Sequence, residues 1–251
     1  MSGRLAGKVA VVTGGGSGFG AEICRKFAEE GARVTVLDLN EGGAKAVASD
    51  IGAEAALAIR CDVAKRDQVA GAVRATIDTF GKIDAYVNNA GITHTNRPLL
   101  EIEESWFDKI FAVNVKAIYL SALEMVPIYR KQGGGTIINV ASTAGVRPRP
   151  GLVVYNASKG AAITLTRSLA IELAPDNIRV TAVNPVAGET PLLREFMGED
   201  TPEVREKFRS SVPLGRLSTP RDIANTVAFL ASDEAAFLTG VAIEVDGGRC
   251  I

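Results

Sequence analysis

Residues 8–38, KVAVVTGGGSGFGAEICRKFAEEGARVTVLD, decide the fold. Lys8 to Thr13 is a short, nearly unbroken apolar run, the pattern of a strand covered on both faces. It ends in a glycine-rich turn, Gly14 to Gly20. An amphipathic segment follows, with Ala21, Ile23, Cys24, Phe27 and Ala28 on one side and Glu22, Arg25, Lys26, Glu29 and Glu30 elsewhere, and Gly31 stops it. A second buried run, Val34 to Leu37, ends at Asp38. Strand, glycine turn, helix and strand make a βαβ unit.

The alternation continues outward from this unit. Hydrophobic spacing predicts further strands at 55–61, 83–87, 136–140, 179–183 and 241–245, and helices at 65–80, 105–131, 153–173 and 221–231. The longest departure runs from Pro185 to Pro220, and its charged part, 194–209, reads as one or two helices. No linker, repeat or shift of composition interrupts the rhythm. The expectation is one α/β domain over residues 1–251: a doubly wound, Rossmann-type parallel sheet of about seven strands, with helices on both faces. The segment at about 186–215 is expected to cover a substrate. Sites in such sheets form at the carboxyl ends of the strands, and Asp38, Asp62, Asn88 to Gly91, Ser142 and Pro185 all fall there.

With 28 basic and 29 acidic side chains, the net charge of −1 gives no footprint for nucleic acid or an anionic membrane surface. There is no run of eighteen apolar residues, and MSGRLAGKVAVVTGG leads directly into a strand, so a cytoplasmic chain without a targeting segment or membrane partner is expected. Cys24, Cys61 and Cys250 are far apart and odd in number. They read as reduced thiols without zinc spacing, and no metal site is expected.

In the glycine turn, Gly14, Gly18 and Gly20 let backbone approach backbone, and a helix starting near Ser17 aims its free N–H groups at the turn. A pyrophosphate is stabilised by that arrangement; an ordinary tight turn fits the same glycines. Asp38, at the end of the second strand, can accept both hydroxyl hydrogens of an adenosine ribose and would repel a 2′-phosphate. No Arg or Lys stands at Ser17 or Leu39 to neutralise that phosphate, which favours NAD over NADP. A helix N-cap is the competing role for Asp38. Asp62 and Val63 suit the amino group and face of an adenine, and a surface turn suits them equally. Asn88-Asn89-Ala90-Gly91 fits a plain strand-ending turn, and equally one whose amides pin neighbouring loops and line a cofactor; its place at a strand end favours the second.

Ser142, at a strand end, precedes Tyr155 and Lys159, which stand four apart and share a helix face. An ammonium one turn from a phenol favours the phenolate, and a nearby hydroxyl can hold a substrate oxygen against it. By itself a Tyr-x-x-x-Lys spacing is a common accident of amphipathic helices. Asn114 lies in an apolar stretch, where a buried amide must find partners; it fits a water relay beneath Lys159 or a satisfied core position. His94, the lone histidine, reads as packing or solvent-facing. Arg147 and Arg149 flank the Ser142–Tyr155 loop, and a solvated loop or subunit contact weighs against a role in attracting an anion. Trp106 and Phe107 suit the core or an interface.

Together these residues resemble the short-chain dehydrogenase/reductase family, of its compact kind, over Leu5 to Gly248. The matching motifs are Thr13-Gly14-x-x-x-Gly18-x-Gly20, Asn88-Asn89-Ala90-Gly91, and the set Asn114, Ser142, Tyr155 and Lys159. The resemblance implies hydride transfer between nicotinamide and a carbonyl or secondary alcohol, and a homotetramer built on the two long helices. It implies cofactor contacts from Gly14, Ser17, Gly18, Phe19, Gly20, Asp38, Leu39, Asp62, Val63, Asn89, Gly91, Tyr155, Lys159, Gly188 and Thr190. One departure is visible: Val186 follows Asn184-Pro185, where the family usually has Gly.

The resulting expectation is an NAD(H)-dependent oxidoreductase acting on a small-molecule alcohol or ketone, with Asn114, Ser142, Tyr155 and Lys159 catalytic. The alternative is a 3-oxoacyl-thioester reductase acting on acyl-carrier-protein or CoA substrates. A dinucleotide-sensing protein without turnover ranks lower, because it would be expected to have lost one of the four. The substrate pocket is expected to draw on Thr93 to Pro98, Ala144 to Val154 and Val186 to Phe208.

Overall fold

The computed structural model describes residues 3–251. Its seven strands are β1 (Val9–Thr13), β2 (Arg33–Asp38), β3 (Ala56–Arg60), β4 (Ala85–Asn88), β5 (Gly135–Val140), β6 (Ile178–Pro185) and β7 (Ala242–Val245). They form one sheet in the order β3-β2-β1-β4-β5-β6-β7, parallel throughout. The order reverses between β1 and β4, which opens the crevice where such sheets bind ligands.

Alternate residues of each strand feed opposite layers. On one side, α1 (Gly18–Glu29), α2 (Glu41–Ile51) and α9 (Pro220–Ala231) pack Ile23, Phe27, Val47 and Val227 onto Ala10, Val12, Val34 and Val36. On the other, α3 (Arg66–Phe80), α5 (Ala117–Gln132) and α6 (Val153–Leu173) pack Val73, Met125 and Leu173 onto Val11, Tyr86 and Ile137. This two-sided burial explains why the strands read as continuous apolar runs rather than alternating ones.

Three elements refine the sequence reading. Helix α2 is absent from it because Gly42 and Gly43, poor helix formers, occupy the first turn. The helix is started instead by Asn40, whose side chain accepts from the Gly43 N–H at 3.2 Å. The helix expected at 105–131 is α4 (Glu104–Phe111) joined to α5 through a π turn at Ala112–Lys116. By length and hydropathy Glu104–Gln132 passes for a membrane span, yet its Ile110, Leu120 and Met125 are buried in the fold. The charged stretch after β6 forms two short helices, α7 (Leu193–Met197) and α8 (Pro202–Ser210).

Candidate active site

The carboxyl ends of the strands surround a cleft of about 440 Å³. At one end the chain passes from β1 through Gly14 into α1. Ser17 holds the N-cap position of α1 without capping any amide by its side chain, so the first-turn N–H groups keep their anion-binding potential. Gly14, Ser17, Gly18 and Phe19 line the cleft. Gly20 does not: a Cβ there would stand 2.1 Å from the Gly14 oxygen, so this glycine lets helix meet strand.

Asp38 closes this end. Its Oδ2 accepts from the Gly16 N–H at 2.9 Å and its Oδ1 from the Asn40 N–H at 2.8 Å. It is not the N-cap of α2, a position that Asn40 takes. A carboxylate has about four acceptor positions, so two remain for a ligand. Leu39, Asp62 and Val63 also line the cleft. Asp62 forms the turn considered above, its Oδ1 accepting from Ala64 N–H at 3.0 Å, while still facing the cleft.

The two asparagines after β4 point to different tasks. Asn88 is buried and donates to Asn139 Oδ1 at 2.9 Å, and Asn139 donates in turn to Thr166 Oγ1 at 2.8 Å. Asn89 clamps the glycine turn by donating to the carbonyls of Thr13 and Gly14, at 2.8 and 3.2 Å. Asn89 and Gly91 line the cleft and Asn88 does not.

Ser142, Tyr155 and Lys159 converge at the other end. The Ser142 Oγ accepts from the Ala144 N–H at 3.1 Å, which leaves its hydroxyl hydrogen free to donate. Burial pushes the Tyr155 phenol up to about 12, and the neighbouring Ser142 hydroxyl, able to turn its hydrogen toward the phenol or a ligand oxygen, pulls it partly back. Burial pushes the Lys159 ammonium down to about 8. Its Nζ donates to the Val140 carbonyl at 2.8 Å and lies 5.7 Å from the centre of the Tyr155 ring.

Asn114 sits in the π turn and does not line the cleft. Its Oδ1 accepts from the Ile92 N–H at 2.9 Å, and its Nδ2 donates to the Ile92 carbonyl and to Ser158 Oγ. A Cβ built on Gly91 would stand 3.3 Å from Lys159 Nζ and 3.5 Å from Asn114 Oδ1, so both groups border the same small gap.

The substrate side departs from the sequence reading at one segment. Thr93 to Pro98 does not line the cleft. It braces the walls instead: Thr95 bonds Glu195, Asn96 N–H donates to the Glu195 carbonyl at 3.0 Å, and Asn96 Nδ2 donates to the Pro150 carbonyl at 3.0 Å. The walls are Ala144, Arg149, Leu152, Val186, Leu192, Phe196 and Phe208, together with Lys109 and Val113. Lys109 and Val113 stand four apart, one turn along the same helix face, and reach the cleft together. Val186 is buried, donates to the Val245 carbonyl at 3.2 Å and so simply prolongs β6. Gly188 bridges to Ser218, and Gly188 and Thr190 line the cleft opposite Phe19. His94 is buried with Nδ1 against the Thr95 carbonyl, which is a packing role. The three cysteines are free.

A family model described as enoyl-(acyl carrier protein) reductase matches residues 14–249. The 4-formylbenzenesulfonate dehydrogenase of Comamonas testosteroni is 51% identical over 247 residues, covering 97% of this chain and 98% of that protein. The crystal structure of a 3-ketoacyl-(acyl-carrier-protein) reductase from Brucella melitensis complexed with NADH superimposes with a TM-score of 0.94 at 49% identity, over 98% of this chain and all of that one. A short-chain type dehydrogenase/reductase from Mycobacterium marinum gives 0.90 at 34% identity, over 98% and 96%. Full-length likeness at these identities, on a doubly wound parallel sheet, places the chain in the short-chain dehydrogenase/reductase family of oxidoreductases.

Proposed function

We propose that this protein is an NAD(H)-dependent oxidoreductase that interconverts a secondary alcohol and its ketone. One observation carries the reading: the glycine turn with Asp38 and the Ser142–Tyr155–Lys159 group line one cleft. The nucleotide end fits a dinucleotide. Its first-turn amides suit the pyrophosphate, Asp38 retains acceptor positions for the adenosine ribose, and Asp62 with Val63 flanks the adenine. Gly188 and Thr190 belong to the nicotinamide end. The NADH complex of the Brucella relative supports the same choice.

When bound, an oxidised nicotinamide would supply a hydride acceptor and a positive charge. The chain supplies the proton chemistry. Ser142, with its hydrogen free, donates to the substrate oxygen and holds it against Tyr155. Tyr155 as phenolate takes the hydroxyl proton while the carbinol C–H electrons leave as hydride; in reduction the neutral phenol returns it. Lys159 stabilises the phenolate and keeps two N–H donors for the nicotinamide ribose and a water, since one is used on Val140. Asn114 completes the relay through the free lone pair of Oδ1 beside the gap at Gly91.

Residues 1–251 act as one catalytic domain, with 186–215 covering the substrate through Phe196 and Phe208. The enzyme is a cytoplasmic homotetramer without a membrane partner. Apolar Phe107 and Tyr119 on α4–α5, and Val153 and Ile171 on α6, are exposed on the helices that would meet. Free Cys24, Cys61 and Cys250 suit a reducing compartment.

A 3-oxoacyl-thioester reductase is the second reading, favoured by the Brucella relative and opposed by Asp38 if the donor is NADPH. An NAD-reduction screen over cyclic alcohols, polyols, hydroxy acids, aryl alcohols and hydroxyacyl thioesters separates the two. NADH formation from simple alcohols supports the first. Turnover confined to the thioesters establishes the second.

A further inference from the structure

We infer that the substrate carries an anionic oxo group, a sulfonate or carboxylate, on an apolar body, and that Arg149 receives it. The inference rests on the dehydrogenase reading above and names its substrate class.

Arg149 belongs to the loop between Ser142 and Tyr155 and lines the cleft. Its guanidinium carbon lies 4.6 Å from the centre of the Phe208 ring, a cation–π contact that fixes the group against α8. Among the described residues the guanidinium makes no ion pair and donates no hydrogen bond, and its buried Nη2 has no partner. The nearby charges make matters worse. Arg147 donates to the main-chain oxygens of Arg249 and Ile251, at 2.7 and 3.5 Å, which holds the C-terminal residues beside the loop. Arg249 is thereby brought close to Arg149, and its own Nε and Nη1 are buried without partners. Burial and these neighbours together push the Arg149 guanidinium down to about 10.

A half-buried cation without a counter-charge is costly to hold. The cleft offers no remedy of its own. Its two carboxylates, Asp38 and Asp62, stand at the nucleotide end and accept main-chain N–H bonds there. The substrate walls carry Lys109, Arg149 and Lys159 as cations, and otherwise Leu152, Phe196, Phe208, Val113 and similar apolar groups. An anion on the substrate supplies the missing partner, and a planar guanidinium matches a sulfonate or carboxylate with two parallel bonds. Phe196, 5.1 Å from the Tyr155 ring, and Phe208 under Arg149 give an aromatic body surfaces to pack on between proton transfer and charge. The Comamonas relative is named for a substrate of this composition, a benzene ring with a formyl group and a sulfonate.

The test uses ketones with enzyme saturated in NAD⁺, a combination that binds but has no hydride to transfer. Isothermal titration compares 4-acetylbenzenesulfonate, 4-acetylbenzoate and neutral acetophenone. The expected result is that at least one anion binds about 10- to 100-fold more tightly than acetophenone, the range of a hydrogen bond to a charged group. Arg149→Gln should remove most of that advantage and Arg149→Lys part of it. The sulfonate and carboxylate arms show which anion the site prefers. Equal affinity for all three ketones in the unaltered enzyme overturns the proposal without any variant. Loss of acetophenone and the anions by the same factor in Arg149→Gln also overturns it, since Arg149 would then only shape the wall. Because turnover is not read, tight anion binding by an enzyme that oxidises no alcohol would leave this site standing and remove the dehydrogenase reading.

Discussion

The Gly16 N–H donates a 2.9 Å hydrogen bond to Oδ2 of Asp38, tying the turn after β1 to the carboxylate that ends β2. One side chain therefore shapes the pyrophosphate turn and presents acceptors to the ribose. Its register partner on β3 is Arg60, an exposed cation on the neighbouring strand.

Asp38→Ala should weaken NAD use and admit NADP. Removing a charged acceptor costs about 1.5–3 kcal/mol, so kcat/KM with NAD should fall roughly 10- to 100-fold. Repulsion of a 2′-phosphate disappears at the same time, leaving Arg60 beside the site, so the preference for NAD narrows. Initial rates with both dinucleotides check this. An unaltered enzyme that already prefers NADP would refute the role given to Asp38.

Tyr155→Phe keeps the ring against Phe196, Ala144 and Leu152 and removes only the hydroxyl. The fold and the nucleotide end should survive. Turnover should fall by at least about 10³-fold, in line with loss of a general acid–base group, while the NADH dissociation constant stays within about threefold. Stopped assays and NADH fluorescence titration give the two numbers. Residual activity near the normal rate would remove Tyr155 from the proton transfer.

Burial of Lys159 makes a pH signature. Its folded pKa is about 8 against an ordinary lysine value of 10.5, so between those values the folded chain binds fewer protons than the unfolded one. Stability from this group therefore rises with pH across that window, by roughly 2 kcal/mol at most between pH 8 and 10. Tyr155 acts the other way above pH 10, because its folded pKa of about 12 keeps a proton that the unfolded chain loses. Urea unfolding of the unaltered protein and Lys159→Met at pH 7.5, 8.5 and 9.5 should show the difference shifting toward the unaltered protein as pH rises. A difference independent of pH would mean that Lys159 is solvated.

Much of this architecture is legible in the chain because it rests on local chemistry. The apolar runs of Val9–Thr13 and Ile178–Pro185, the glycines after Thr13 and the Tyr155–Lys159 spacing all act through neighbours in sequence. What stayed hidden depends on distant partners. Helix α2 hides behind Gly42 and Gly43 until Asn40 is seen to cap it. Arg60 matters only once the β2–β3 register places it beside Asp38. Lys109 and Val113 line the cleft only once their helix is seen to lie across it, and Thr93 to Pro98 is bonded to Glu195 and Pro150 instead of lining it.

Gly145 lets the turn that follows Ser142 lie against the helix that carries Tyr155, and no spacing in the sequence betrays it. The short turn Thr143–Gly145 lies directly on α6: a Cβ at Gly145 would stand 2.7 Å from the Gly160 nitrogen and 2.7 Å from the Lys159 carbonyl carbon. Both are backbone, so the turn itself must move in Gly145→Ala. Ser142, held to this turn through the Ala144 N–H, moves with it and away from the phenol. Misplacement by about 1 Å can cost about 10²-fold in rate, and that loss is expected in kcat with NADH binding little changed. Gly160→Ala is the matched control, since its Cβ would meet only the Gly145 oxygen at an ordinary 3.7 Å. It should keep near-normal rates and gain helix propensity. Parallel kinetics and circular dichroism on the two variants decide the matter. If both lose activity alike, close contact of the turn with α6 is not what positions Ser142.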